Sequence, residues 1–390
     1  MNGKQAHCQS GLADQLSFPD RAFGSKDVYG TSLQSLPKKE TALADSMIAV
    51  RLHEVGSSFS VDQVRIPNVG NDEVLVDVKA CGLCHSDMNY QEGVAPVGKL
   101  PITLGHEIAG VVAKTGTRVK GLREHERVLV HYIVSCGKCS FCRRGLENYC
   151  IHYRMIGKDI DGGFAEFVKV PARSIIKLPT GLPFEQAALI GCAVPTAYHA
   201  LKRGRVQNGD VVAIFGIGGV GIHAIQLAAK CFTTKMVIAV DVFDWKLKLA
   251  GEIGATAVVN AAKQNVPMAI SKITGGKLSN VVVDFVSRTR TMKQAILSTG
   301  KGGRVVLAGI TRDTLQITPY TTLLGSELEI IGVDDHLYSE MTELIQFLRN
   351  RRISLSRSVT HTVSLDAINH GFDMLRAKRE KVVRIVMANS

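Results

Sequence analysis

Residues 211–221 read Val211-Val-Ala-Ile-Phe215-Gly216-Ile-Gly218-Gly219-Val220-Gly221, an apolar run that breaks into glycines without a polar spacer. Such an unbroken apolar run suits a strand covered on both faces, the habit of parallel sheets. Ile222 to Cys231 follows with helical character, and Met236 to Val240 forms a second apolar strand that ends in Asp241. Strand, G-x-G-x-x-G, helix, strand and terminal acid in that order make a βαβ unit suited to a dinucleotide. Gly216 permits the tight turn, Gly218 lets backbone approach a pyrophosphate, and Gly221 lets the helix close on the strand, with its N-terminus facing the negative charge. Gly219 adds room, and Val220 completes the turn. Asp241 stands twenty residues beyond Gly221. A carboxylate there accepts hydrogen bonds from both adenosine-ribose hydroxyls and repels a 2′-phosphate, so NAD is expected in preference to NADP.

Downstream the alternation continues. Ala257 to Val259, Val281 to Val286, Arg304 to Ala308 and Leu328 to Val333 complete an expected six-stranded, doubly wound parallel sheet, the Rossmann arrangement. Amphipathic helices near Tyr338 to Asn350 and Ser364 to Leu375, and a last strand Val382 to Met387, leave that alternation and are expected to return to the first domain. Upstream, short Val- and Ile-rich runs at Ser46 to Leu52, Glu73 to Ala80, Ile108 to Lys114 and Arg127 to His131, with another strand near Phe164 to Val170, predict an irregular β-rich domain. Pro183 to Leu201 reads as a helix with Cys192 well inside it. The expected division is an N-terminal extension over 1–45, mobile or loosely docked, then a β-rich domain over 46–193, the nucleotide domain over 194–334, and a returning segment over 335–390. The class is α/β.

The β-rich half holds the chemistry. Cys81-Gly-Leu-Cys84-His85-Ser86-Asp87 puts a thiol, an imidazole, a hydroxyl and a carboxylate in consecutive places. Alone it allows a redox pair, half of a metal site or a polar turn. Twenty residues on stands Gly105-His106-Glu107, and then Cys136, Cys139, Cys142 and Cys150 follow within one short arc. Four thiols at that spacing converge on one tetrahedral Zn²⁺, and a closed shell of four thiolates is structural. Longer hairpins would be needed for a nucleic-acid zinc ribbon. A lone Cys such as Cys192 in an apolar helix reads first as a small buried hydrophobe.

The totals exclude other classes. Lys and Arg give a net charge of +12 but are interleaved with acids, a solvated basic surface rather than a nucleic-acid or membrane footprint. No apolar run is long enough to span a membrane, and no export signal precedes the first domain, so a cytoplasmic location with nine reduced cysteines is expected.

Together, Cys-His-Ser-Asp, Gly-His-Glu, the four-thiol arc, the isolated Cys192 and Gly-Ile-Gly-Gly-Val-Gly resemble the zinc-containing alcohol dehydrogenases of the medium-chain dehydrogenase/reductase family, over about residues 47–388. The resemblance implies a GroES-like catalytic domain interrupted by the Rossmann domain, two zinc ions per chain, NAD, and a small alcohol, aldehyde or ketone substrate, in a homodimer or homotetramer. Carried over, Cys84, His106 and Cys192 would hold the catalytic zinc, and Cys81 would not. Asp87 would orient His106, Glu107 would lie close to the metal, His85 would face the pyrophosphate and Lys246 the adenosine ribose. Ser86 would take the first proton as a zinc-bound alcohol becomes the alkoxide. Asn89 stands where many relatives carry a relay histidine, and asparagine does not titrate. Polyol and amino-alcohol relatives commonly place Glu at the third ligand position, where this chain has Cys192.

Overall fold

Val212 and Ile214 enter one apolar core, Ala213 and Phe215 the other, and all four are buried. The split follows from the period of two along a strand, and the burial of both faces explains why the run has no polar residue. The computed structural model describes residues 45–377 and 381–389. Its parallel sheet has six strands in the order Ala257–Asn260, Met236–Asp241, Val211–Phe215, Ser279–Asp284, Thr299–Leu307, Glu329–Gly332. Strand order reverses between Val211–Phe215 and Ser279–Asp284, which opens a crevice at their carboxyl ends.

The β-rich part centres on Glu73–Leu83. That strand pairs antiparallel with Glu107–Thr115, with Phe167–Pro171 and with Arg384–Ala388. In the last pairing Ile385 faces Leu83 and Met387 faces Cys81, so the end of the chain lies beside the first thiol stretch, as expected for a returning segment. Val359–Val363 extends this sheet in parallel, Arg127–Val130 and Ile175–Lys177 extend it on the far side, and Ser46–Leu52 belongs to a separate three-stranded sheet.

Two elements differ from expectation. The strand expected to stop at Ala80 runs on to Leu83 and delivers Cys84 to the start of a helix, His85–Gln91. Asp87 Oδ2 accepts the Cys84 N–H at 3.0 Å, the reach-back of an N-terminal cap, and so a polar stretch without apolar periodicity becomes helical. The helix expected over Pro183 to Leu201 is broken into Phe184–Ala188, a 3₁₀ turn Leu189–Gly191, and Ala193–Arg203, which puts Cys192 at the break rather than inside. A side chain on Gly191 would come within 2.9 Å of the Glu107 Cα, so this backbone is pressed against the neighbouring strand. The expected extension over 1–45 lies outside the described residues except for Asp45. Among the described residues no helix is long and apolar enough to cross a membrane.

The returning segment joins the first core through Phe372, which is fully buried between Phe59 and Phe164, with ring centroids 5.3 and 5.9 Å away. Phe372→Ala should therefore cost about 3–5 kcal/mol. Urea unfolding followed by fluorescence will show it as a lower midpoint of the first transition, whereas Leu297→Ala, on an exposed helix face, should move it by no more than about 0.5 kcal/mol.

Candidate functional site

Asp87 is completely buried, and its carboxylate accepts three N–H groups. Oδ2 takes the Cys84 backbone; Oδ1 takes the Gly105 backbone at 3.3 Å and His106 Nδ1 at 3.2 Å. One carboxylate thus ties the helix carrying Cys84 to the loop carrying His106. With Nδ1 engaged, His106 turns Nε2 toward Cys84 and Cys192, and that nitrogen is buried without a hydrogen-bond partner among the described residues. Donor atoms of Cys84, His106, Glu107 and Cys192 all lie within 4.8 Å of one another.

The cluster's electrostatics favour charge on Cys84 and His106 despite burial. A hydrogen bond from the Cys192 thiol holds Cys84 well below the usual thiol range, against the opposing effect of burial. Burial works against the charged form of His106, but Asp87 and Cys84 outweigh it and raise its pKa. A thiolate, a second thiol and an unpartnered imidazole nitrogen, all buried, form the soft donor set that suits zinc. The residues fit the metal. Cys81 is outside this group, its sulfur packed where side chains on Gly105 or Gly163 would have to go. Burial pushes its thiol pKa well up.

The second set of thiols also converges. Cys139 and Cys142 sulfurs lie 3.4 Å apart, Cys136 and Cys142 3.9 Å, and all four fit within 4.8 Å. Backbone N–H groups point at the sulfurs, Cys136 and His152 at Cys150 among them. The Cys142 N–H draws the Cys139 thiol down to about 6. The arc also docks elsewhere: Asn148 Nδ2 donates to the Asp334 carbonyl at 3.2 Å, and Glu147 accepts the Tyr338 N–H.

A cavity of about 630 Å³ joins the ligand cluster to the carboxyl ends of the parallel strands. It is lined by Cys84, His106 and Cys192 at one end and by the glycine turn, Asp241 and Lys246 at the other, with His85 and Ser86 between. Gly216 has φ +85°, which supplies the turn. A side chain on Gly221 would sit 2.0 Å from the Gly216 carbonyl, and one on Gly218 would meet nothing within 4 Å, so Gly218 leaves the cradle open for a ligand. Asp241 is nearly buried; it accepts N–H groups from Ile217, Val242 and Phe243, and Lys246 Nζ lies 4.0 Å away. It therefore shapes the turn as well as facing the cavity. Ser86 Oγ is 3.6 Å from the Cys84 sulfur, and Asn89 also lines the cavity. Tyr90 and Tyr132 also line it, whereas Met88 and Ile133 are buried in the core.

Arg384 escaped the sequence reading. It is buried on the last strand and pairs with Glu107, and its side-chain stem occupies the space beside Gly219. Gly219, expected as spare room, is where this arginine passes. Desolvation pushes the Glu107 carboxyl up to about 7 even though Arg384 opposes it. The signal was an arginine alone in an apolar strand, a charge that burial obliges to find a partner. Arg384→Met should cost about 3–5 kcal/mol by stranding a buried carboxylate, and adding Glu107→Gln should recover part of it. A double-mutant cycle by urea unfolding measures both; a purely additive pair would contradict the coupling.

Two family models match: residues 70–180 fit the alcohol dehydrogenase GroES-like domain and residues 219–350 fit the zinc-binding dehydrogenase domain. The chain is 35% identical to an alcohol dehydrogenase of Geobacillus stearothermophilus over 84% of this chain and 96% of that one. It superposes with a TM-score of 0.81 and 30% identity on a zinc-binding dehydrogenase from Sinorhizobium meliloti 1021 bound to NADP, covering 89% of this chain and all of that one. The TM-score is 0.82, at 26% identity, for a short chain alcohol dehydrogenase from Escherichia coli complexed with NADH, covering 89% of this chain and all of that one. With both halves matched in order and the buried thiol and imidazole donors in place, the chain belongs to the zinc-type medium-chain alcohol dehydrogenases.

Proposed function

We propose that this protein interconverts an alcohol with its aldehyde or ketone by hydride exchange with NAD. The observation that carries the reading is the unpartnered, buried His106 Nε2 facing two thiols in the same cavity as the glycine turn. Cys84, His106 and Cys192 would hold the catalytic zinc, and Cys136, Cys139, Cys142 and Cys150 a structural one. When bound, the metal supplies Lewis acidity to the substrate oxygen and the nicotinamide takes or gives the hydride.

The chain's own residues position and move protons. Asp87 holds the His106 ring and the Cys84 backbone in one geometry, so the cluster keeps its shape through the reaction. Ser86, beside Cys84, takes the proton of the substrate hydroxyl. Asn89 cannot carry that proton on, so it leaves through water in the cavity or the cofactor's ribose hydroxyls. His85 and the Gly216 to Gly221 turn, Val220 included, hold the pyrophosphate; Asp241 and Lys246 hold the adenosine ribose. Glu107 is kept near the metal by Arg384. In this reading residues 46–193 and 335–390 form the catalytic domain and 194–334 the NAD-binding domain, and assembly as a dimer or tetramer goes with it. The pairing of Arg384–Ala388 with Glu73–Leu83 supports that division.

Metal analysis of the purified protein should find about two zinc per chain. Cys192→Ser should lose one and abolish alcohol-dependent NADH formation, while Cys139→Ser should lose the other and lower thermal stability. A full zinc complement in Cys192→Ser would contradict the ligand assignment. The cofactor reading has its own test. Wild type should prefer NAD over NADP in kcat/KM by a factor on the order of 100, because the Asp241 carboxylate repels a 2′-phosphate. Asp241→Ser should bring that ratio toward parity, and a wild type that favours NADP would refute it.

A further inference from the structure

Beyond the ligand cluster the cavity ends in a carboxylate that the reaction does not use. Asp335 lies between the last parallel strand, Glu329–Gly332, and the helix Tyr338–Arg349. Tyr132 Oη donates to its Oδ1 at 2.7 Å and Tyr153 Oη to its Oδ2 at 2.6 Å. Tyr132 is fully buried, and its ring packs edge-on against the His106 ring with centroids 5.1 Å apart. Asp335 therefore sits one tyrosine's length from a metal ligand, in the same cavity. Both tyrosines meet Asp335 as hydroxyl donors, each at a short O–H···O distance.

The polarity of this end follows from that bonding. Each tyrosine has committed its one proton, leaving only oxygen lone pairs, and a carboxylate that has accepted two hydrogen bonds still has acceptor capacity. Lys158 lines the cavity here and, like His199, offsets the neighbouring Asp334, which is exposed. The Asp335 carboxylate and the two phenol oxygens leave this part of the cavity rich in acceptors. A plain alkyl tail would desolvate these acceptors without satisfying them, and a carboxylate tail would be repelled.

We infer that the Asp335 carboxylate is a specificity site for a hydrogen-bond donor on the substrate, a second hydroxyl or an ammonium group, remote from the carbinol that is oxidised. The inference rests on the activity proposed above. The holoenzyme is assayed with a monoalcohol, its terminal diol, its terminal amino alcohol and the corresponding hydroxy acid, at each chain length from propanol to hexanol. At the matching length the diol or amino alcohol should exceed the monoalcohol in kcat/KM by about 10- to 100-fold. The hydroxy acid should be the poorest. The arm that leads tells hydroxyl from ammonium.

Asp335→Asn, which turns one acceptor into a donor, should bring the ratio toward one, more steeply for the amino alcohol than for the diol. Tyr153→Phe keeps the carboxylate and should keep the preference, which separates recognition from a purely structural tie, since loosened packing would depress all substrates together. A ratio near one in wild type at every length, a ratio unmoved in Asp335→Asn, or one that collapses in Tyr153→Phe would overturn the assignment. Turnover of no alcohol with either cofactor would sink the activity as well, whereas turnover without discrimination would sink the Asp335 assignment alone.

Discussion

The buried pair of Glu107 and Arg384 constrains this molecule more than any other contact. A carboxylate and a guanidinium taken out of water together are tolerated only when each satisfies the other, and removing one strands a charge. Because the two residues come from strands 277 positions apart in sequence, their pairing forces the end of the chain back onto the β-rich core. Arg384 also fills the space beside Gly219, so the same cation bridges Glu107, next to His106, and the glycine turn. The thiol–imidazole cluster and the glycine turn are thereby set in one rigid geometry, which hydride exchange between a substrate held at the first and a nicotinamide held by the second would require.

Asp87 does locally what Arg384 does across the fold. Its carboxylate receives two backbone amides and one ring nitrogen, so the positions of Cys84 and His106 are not independent. Metal ligands held this way are preorganised, and the cost of gathering thiols in a dry site is met in folding rather than at metal binding. Cys192 arrives by a different route, at a break between helical segments where the backbone is pressed against Glu107.

What the sequence disclosed and what it hid divide along physical lines. The parallel sheet was legible because its signal is local: Val211–Phe215 is buried on both faces and the glycine turn follows at once. The two groups of converging thiols, with His106 in one of them, were legible because thiol and imidazole spacings are rare. The helix at His85 was not, since a capping carboxylate rather than apolar periodicity makes it. Nor was the break before Cys192, where Gly191 is pressed against Glu107, 84 residues earlier in sequence. Asp241 was read only as a ribose partner, yet its hydrogen bonds to Ile217, Val242 and Phe243 show that it also builds the turn. Arg384 and Asp335 act through pairings that no local pattern encodes, although a lone arginine in an apolar strand is a clue that a buried partner exists.

The four-thiol arc is more than a staple on a loop. Glu147 accepts the Tyr338 N–H and Asn148 donates to the Asp334 carbonyl, so the arc grips both ends of the segment that carries Asp335. Tyr153, just past the arc, reaches the Asp335 side chain itself. Asp335 holds φ at +56°, a left-handed conformation that a non-glycine residue keeps only when its surroundings over-determine it. The arc supplies much of that determination. A metal bound by Cys136, Cys139, Cys142 and Cys150 would fix the arc, and through it the far wall of the cavity. On this argument the four-thiol arc, distant from the reacting atoms, sets the shape of the substrate end, while Asp87 sets Cys84 and His106 and Arg384 sets Glu107 beside them. The two halves of the pocket are then stiffened by different anchors, so substituted residues at the arc should alter which alcohols bind more than how the bound one reacts.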